Sequence, residues 1–231
     1  MRARELLGSD TTPAGVPITL HSEGAGYVVR VGNEVLMSSR SHGSEQAMAA
    51  ASLEPALRSA RPRVLIGGLG MGFTLRATLD VLPRKSEVVV AEIFACVVEW
   101  NRGPLAALSA DALADPRVRL EVADVRRVVA APGDGFDAIL LDVDNGPDAF
   151  TTAGNAALYA PAGLAALRAA LRPGGGLAVW SVSASRAFEK ALARARFAVE
   201  VVELPARQGS TKGARHTLFL GRIARVPRPA K

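Results

Sequence analysis

The strongest constraint in this sequence is the regular alternation of short apolar runs with stretches rich in helix formers. The runs RVLIGG (63–68), SEVVVAEI (86–93), RVRLEVAD (117–124), FDAILLDV (136–143) and GGLAVWSV (175–182) have the length and β-branched content of strands. Between or after them, residues 71–82, 94–102, 124–130, 156–172 and 185–195 carry helical patterning. Such alternation predicts a parallel sheet with helices on both faces, because each crossover helix must cover one face. The last two runs, FAVEVVEL (197–204) and ARHTLFLG (214–221), have no helix between them and predict an antiparallel hairpin at one edge. The expected fold is therefore α/β, with a seven-stranded, mostly parallel sheet and an antiparallel C-terminal edge.

A smaller unit precedes this pattern. ITLH (18–21), YVVRV (27–31) and EVLM (34–37) are separated by turn residues and read as an antiparallel meander. Ser44 is the expected N-cap of a helix over SEQAMAAASLEPAL. The expected organisation is a β-extension over 1–43, a main domain over 44–222 and a basic tail over 223–231. One cysteine excludes a disulfide framework, and with three scattered histidines it gives no metal signature. No apolar run reaches the roughly 18 residues of a membrane span, and the N-terminus lacks the apolar segment of a secretory signal. The expected location is the cytoplasm. The net charge of +6 permits anion binding. However, the arginines are scattered and aromatic residues are only 5%, a poor stacking surface for nucleic acid.

The chemistry concentrates at the C-terminal ends of the strands. Gly67-Gly68-Leu69-Gly70-Met71-Gly72 joins the first strand of the main domain to its helix. Glycines there let the backbone approach a ligand beside free helix N–H groups. The dinucleotide fingerprint fails at Phe73 or Leu75, and the P-loop pattern fails because Phe73-Thr74 stands in place of Lys-Ser/Thr. Glu92 ends the second strand, where a carboxylate accepts ribose hydroxyls. Asp124 ends the third and can accept from an exocyclic amine or cap the next helix. Asp142 and Asp144 follow the fourth. Acids at successive strand ends point to a nucleoside site in the crevice of an open sheet.

These segments resemble the polyamine aminopropyltransferases, the spermidine synthase family. VLIGGLGMGFTLR is similar to that family's VL-I-GGGDGG-LRE segment, and FDAILLDVDNGP to its YDVI-DSSDP-GP segment. AEIFACVVEWNR resembles its stretch around the ribose-binding acid, and EVLMSSRSHGSEQAMAA lies where the family has Q-T-x-x-DEF-YHE. The resemblance implies a Rossmann-like, methyltransferase-type sheet and a site for S-adenosylmethionine or its decarboxylated form, without a metal. Gly68, Gly70 and Gly72 would cradle the methionine part, Glu92 would bind the ribose and Asp124 the adenine. It also implies a homodimer through the N-terminal region.

The departures bear on the acceptor. The family's amine-holding Asp in the glycine loop is Met71 here, and its catalytic Asp is Asn145. Ser39, Gly43 and Ser44 replace its Asp, Tyr and His when its final Glu is aligned with Glu45. The loop after Asp142 is two residues shorter. An aminopropyl acceptor is a cation that must lose a proton to a carboxylate. With most of those acids replaced, the expectation is methyl transfer from S-adenosylmethionine to a small acceptor, an amine among the options. Asp142 and Asp144 would orient that acceptor, Asp144 serving as any base. Aminopropyl transfer and a non-catalytic nucleoside-binding module are the alternatives. His42 is a loop residue beside the hinge, His21 and His216 are structural, and Cys96 is a small buried residue of its helix. Trp180 is assigned to the core by default, with packing near the site as the alternative, and residues 147–155 form either a lid over the acceptor or a plain surface loop.

Overall fold

In a computed structural model, the structure describes residues 4–40, 43–131, 133–143, 153–205 and 215–224. The described residues form two sheets. The first contains β1 (Glu5–Thr11), β2 (Pro17–Glu23), β3 (Gly26–Val31) and β4 (Glu34–Ser38), antiparallel in chain order. β1 has no counterpart among the expected strands. Its ELLGSDT sequence lies at the sheet edge and is almost wholly exposed, so it carries no alternation to read.

Next come α1 (Gly43–Ser52) and α2 (Glu54–Leu57), where a single helix was expected. Pro55 cannot continue the first helix, and Leu53 sits at the break. Ser44 lies inside α1 rather than capping it, and its hydroxyl faces Glu45 and His216.

The main sheet is built from β5 (Arg63–Gly67), β6 (Glu87–Glu92), β7 (Val118–Val122), β8 (Phe136–Leu141), β9 (Leu171–Ser181), β10 (Ala198–Pro205) and β11 (Arg215–Arg222). Its order is β10-β11-β9-β8-β5-β6-β7, with β5 to β9 parallel and β11 antiparallel to both β9 and β10. The edge hairpin lies where expected. The helices are α3 (Phe73–Val81), α4 (Ala95–Arg102), α5 (Val125–Ala130), α6 (Ala153–Tyr159), α7 (Pro161–Ala170) and α8 (Arg186–Arg194). The segment 147–155 therefore ends in the first turn of α6, and the rest of it lies outside the described residues.

Strand alternation sorts the core into two layers. Val64, Ile66, Val88, Val90, Ala138 and Leu140 face the layer filled by α1, α3 and α4. Leu65, Val89, Ala91, Ile139 and Leu141 face the layer filled by α5, α7 and α8. Ile18, Leu20 and Val29 of the first sheet join the former layer without a break. The β-extension is thus packed onto the main domain as part of one core.

The sheet order reverses at β5, with β6 on one side and β8 on the other. Chains leaving β5 and β8 diverge there and open a crevice beyond the strand ends. At the opposite end of β8, Asp137 is buried and accepts from the Arg63 backbone N–H (2.8 Å) and from Arg172 Nη1 (2.7 Å). These bonds tie the start of β5 to β8 and β9. Asp137→Ala would leave both donors unpaired and should cost about 1–3 kcal/mol. Urea unfolding should show a lower midpoint at unchanged slope; an unchanged midpoint would mean that water replaces the carboxylate.

Candidate functional site

The loop from Gly67 to Gly72 is held in a conformation few sequences adopt. Gly68 and Gly72 have φ of 89° and 81°. A Cβ on Gly68 would run into the carbonyl oxygen of Asp142, so β5 and the end of β8 approach this closely only with glycine. Gly72 is the left-handed N-cap of α3 and packs against Ser109 and Asn101. Leu69 and Met71 turn inward and are almost fully buried. Asn101 of α4 was not singled out from sequence. Its Nδ2 donates to the Gly70 carbonyl (2.8 Å) and to the Val97 carbonyl (2.9 Å), fastening the loop to the helix behind it.

Glu92 holds the loop from the other side. Its carboxylate is buried and accepts from the backbone N–H of Leu69 and of Phe94, each at 2.9 Å. Burial pushes its pKa up, and the backbone donors pull against that shift.

The loop, Glu92, Asp124 and Asp142 line one cavity of about 560 Å³. Gly68 and Gly70 are in its wall, whereas Gly72 stands behind it. Asp124 does cap α5, accepting from the Arg126 N–H (2.8 Å). It also pairs with the Arg126 guanidinium, at 2.9 Å from Nε and 2.5 Å from Nη2. Burial opposes ionisation, but the Arg126 bonds prevail and its pKa lies below the usual range. A base amine at this site would share the carboxylate with Arg126.

Asp142 also lines the cavity, half-buried, and accepts from Thr74 Oγ1 at 2.8 Å. Burial raises its pKa, with the Thr74 hydroxyl offsetting part of the rise. Glu45 of α1 faces it. Burial first, and then the Asp142 charge, push the Glu45 carboxyl up to about 7. Ser44 Oγ donates to Glu45 Oε2 (2.8 Å) and lies 3.0 Å from His216 Nδ1. His216 stacks edge-on against Trp180, with centroids 4.6 Å apart.

Trp180 and His216, expected in the core and in a structural role, both line the cavity. The expected helix residue Cys96 is only half-buried; burial, together with Asp10 of β1, pushes its thiol up to about 11. His21 hydrogen-bonds Thr19 within β2, in keeping with a structural role. The expected catalytic residue Asp144, Asn145 beside it, and His42 lie outside the described residues.

The first sheet supplies the rest of the wall: Thr12, Pro13, Val16, Val31, Val35 and Met37. The cavity is thus largely apolar on the side of the β-extension, while the strand ends contribute its acids beside the apolar Leu69, Ile93 and Phe94. Among the described residues no helix is long and apolar enough to cross a membrane.

Several solved structures resemble this one. A spermidine synthase in complex with the transition-state analogue AdoDATO superposes with a TM-score of 0.71 at 18% identity, over 94% of this chain and 72% of its own. A spermidine synthase from Thermotoga maritima gives 0.70 at 19% identity, over the same shares. Human methyltransferase-like protein 13 in complex with SAH gives 0.55 at 21% identity, over 81% of this chain and 82% of its own. No family model and no curated protein matches the sequence.

Two outcomes follow from this geometry. Gly68→Ala forces a side chain into a positive φ against a backbone carbonyl. It should lower stability by at least about 1 kcal/mol, read as a drop in Tm. Glu45 supplies a pH signature. Its native pKa of about 7 lies above the ordinary 4.5, so the folded state holds a proton that the unfolded chain releases. That contribution is complete below pH 4.5 and is lost as pH rises through 7. Glu45→Gln should therefore gain Tm relative to wild type between pH 5 and pH 8; a difference independent of pH would refute the burial argument.

Proposed function

We propose that this chain, which has the fold shared by spermidine synthases and class I S-adenosylmethionine-dependent methyltransferases, is a transferase. In this reading it binds S-adenosylmethionine and moves the methyl group to a small acceptor. The observation that carries the proposal is the convergence of Glu92, Asp124 and the loop at Gly68 and Gly70 on one cavity at the sheet's switch point.

The residues present suit that ligand. Gly70 leaves room for a ligand against the backbone, and Gly68 lines the cavity beside it. Glu92 keeps spare lone pairs for ribose hydroxyls, and Asp124 has one for an exocyclic amine. The apolar wall of Leu69, Ile93 and Phe94 suits a flat base. When bound, S-adenosylmethionine supplies an electrophilic methyl carbon on its sulfonium. The chain's task is then to place an acceptor in line with that carbon and keep water away. Such alignment alone contributes much of a barrier reduction. The acceptor lies, in this reading, between Asp142, Glu45 and Trp180, under the apolar wall of the first sheet.

Methyl transfer is favoured over aminopropyl transfer by Met71. It is buried in the loop where the resembling family carries an acid for its amines. One observation favours the second reading: the likeness to a spermidine synthase spans 94% of the chain, against 81% for the methyltransferase. In that case the donor is the decarboxylated form and the acceptor a polyamine precursor. A homodimer through the N-terminal sheet accompanies either reading.

Calorimetry separates them. Binding of S-adenosylmethionine, its decarboxylated form and methylthioadenosine should be tightest for S-adenosylmethionine. Preference for the decarboxylated form would establish the aminopropyl reading instead. Failure of all three would leave a fold without its nucleoside site. Glu92→Ala should weaken nucleoside binding by about tenfold or more, since it removes a charged acceptor from the loop and the ribose.

A further inference from the structure

Glu45 is a carboxyl group for which the nucleoside site has no use, yet it is elaborately placed. It lines the cavity from α1, opposite Asp142 at the end of β8. Its Oε2 accepts from Ser44 Oγ (2.8 Å), and Ser44 Oγ in turn meets His216 Nδ1 (3.0 Å) on β11. Trp180 of β9 packs edge-on against His216. Four elements far apart in sequence thus converge on one carboxyl inside the cavity.

Resting on the reading of the site as a transferase, we propose that Glu45 is the proton acceptor for the incoming nucleophile, with Ser44 and His216 as its positioning residues. The step balances simply. The nucleophile's N–H or O–H proton passes to a Glu45 oxygen as its lone pair forms the bond to the transferred carbon. The carbon–sulfur bond breaks with its electron pair going to sulfur, leaving a neutral thioether. Glu45 then releases the proton to solvent.

The surroundings explain why this group rather than another takes the proton. Glu92 holds two backbone N–H groups and, in this reading, the ribose, and Asp124 is paired with Arg126. Asp142 is held by Thr74 and stands close enough to raise the proton affinity of Glu45. A base poised near neutrality is the effective one at neutral pH.

The charged groups on the elements packed against α1 are mostly engaged elsewhere. Arg76 pairs with Asp80, Arg172 with Asp137, Arg215 with Glu203, and Arg222 with Glu54. Asp142 and His216 share the cavity with Glu45. Burial lowers the His216 pKa, which keeps its ring neutral, and with Ser44 Oγ donating to Glu45 its Nδ1–H tautomer is the one that donates to Ser44.

The test uses the full chain with carbon-13 in its glutamate carboxyls. Wild type should show one glutamate titrating near pH 7, absent in Glu45→Gln. Ser44→Ala removes a donor to the carboxylate and should move that midpoint up. If Glu45→Gln removes no signal titrating well above the ordinary glutamate range, or if Ser44→Ala leaves the midpoint in place, the proposal is overturned.

A turnover arm uses S-adenosylmethionine with benzylamine and with phenol as acceptor probes. Formation of S-adenosylhomocysteine should rise with pH through the same midpoint. It should fall about a hundredfold in Glu45→Gln with little change in donor Kd. Equal turnover in both proteins overturns the proposal. If the wild type binds no donor at all, the transferase reading fails instead. The carboxyl titration alone then shows whether Glu45 is tuned as described.

Discussion

Everything at the strand ends depends on one buried carboxylate. Glu92 reaches from the end of β6 to the Leu69 N–H in the neighbouring loop and back to the Phe94 N–H at the start of α4. In water such bonds would be worth little. Because Glu92 is buried, they hold two backbone segments at a set separation. Asn101 closes the same loop from behind through the Gly70 carbonyl. The loop is therefore pinned from two sides before any ligand arrives, which is the preorganisation a binding site needs.

The second constraint is the close passage of β5 and β8. Gly68 sits where a side chain would strike the Asp142 carbonyl, and Asp142 N donates to Gly67 O at 2.9 Å. The same contact that closes the sheet also delivers Asp142 into the cavity. Acid placement and sheet geometry are thus one feature rather than two. A substitution that widens the crossing would move the acid as well as loosen the strands.

Much of this was legible in the sequence because parallel strands buried on both faces must be almost continuously apolar. VLI and VVV runs announce β5 and β6 without ambiguity. The glycine loop, Glu92 and Asp124 were legible because their positions follow directly from the strand ends. Other elements left no such trace. β1 is an exposed edge strand whose pairing with β2 comes from backbone bonds, not from patterned side chains. Glu45 looks like any acid in the first turn of a helix, and only the fold puts Asp142 opposite it. His216 and Trp180 lie in apolar strands, and their cavity role depends on the antiparallel pairing of β9 with β11. Asn101 reads as a helix residue; its bond to Gly70 is a tertiary fact.

The unbroken packing of the first sheet onto the main core carries a consequence for how such a protein changes over time. The β-extension furnishes the apolar wall through Val16, Val31, Val35 and Met37, while the strand ends furnish the cavity's acids. Those two surfaces are encoded in separate stretches of chain. Drift in the hairpins of the extension can reshape one half of the cavity while leaving the other half's anchors intact. Changes in a few wall residues can therefore alter what the cavity admits without touching the groups at the strand ends.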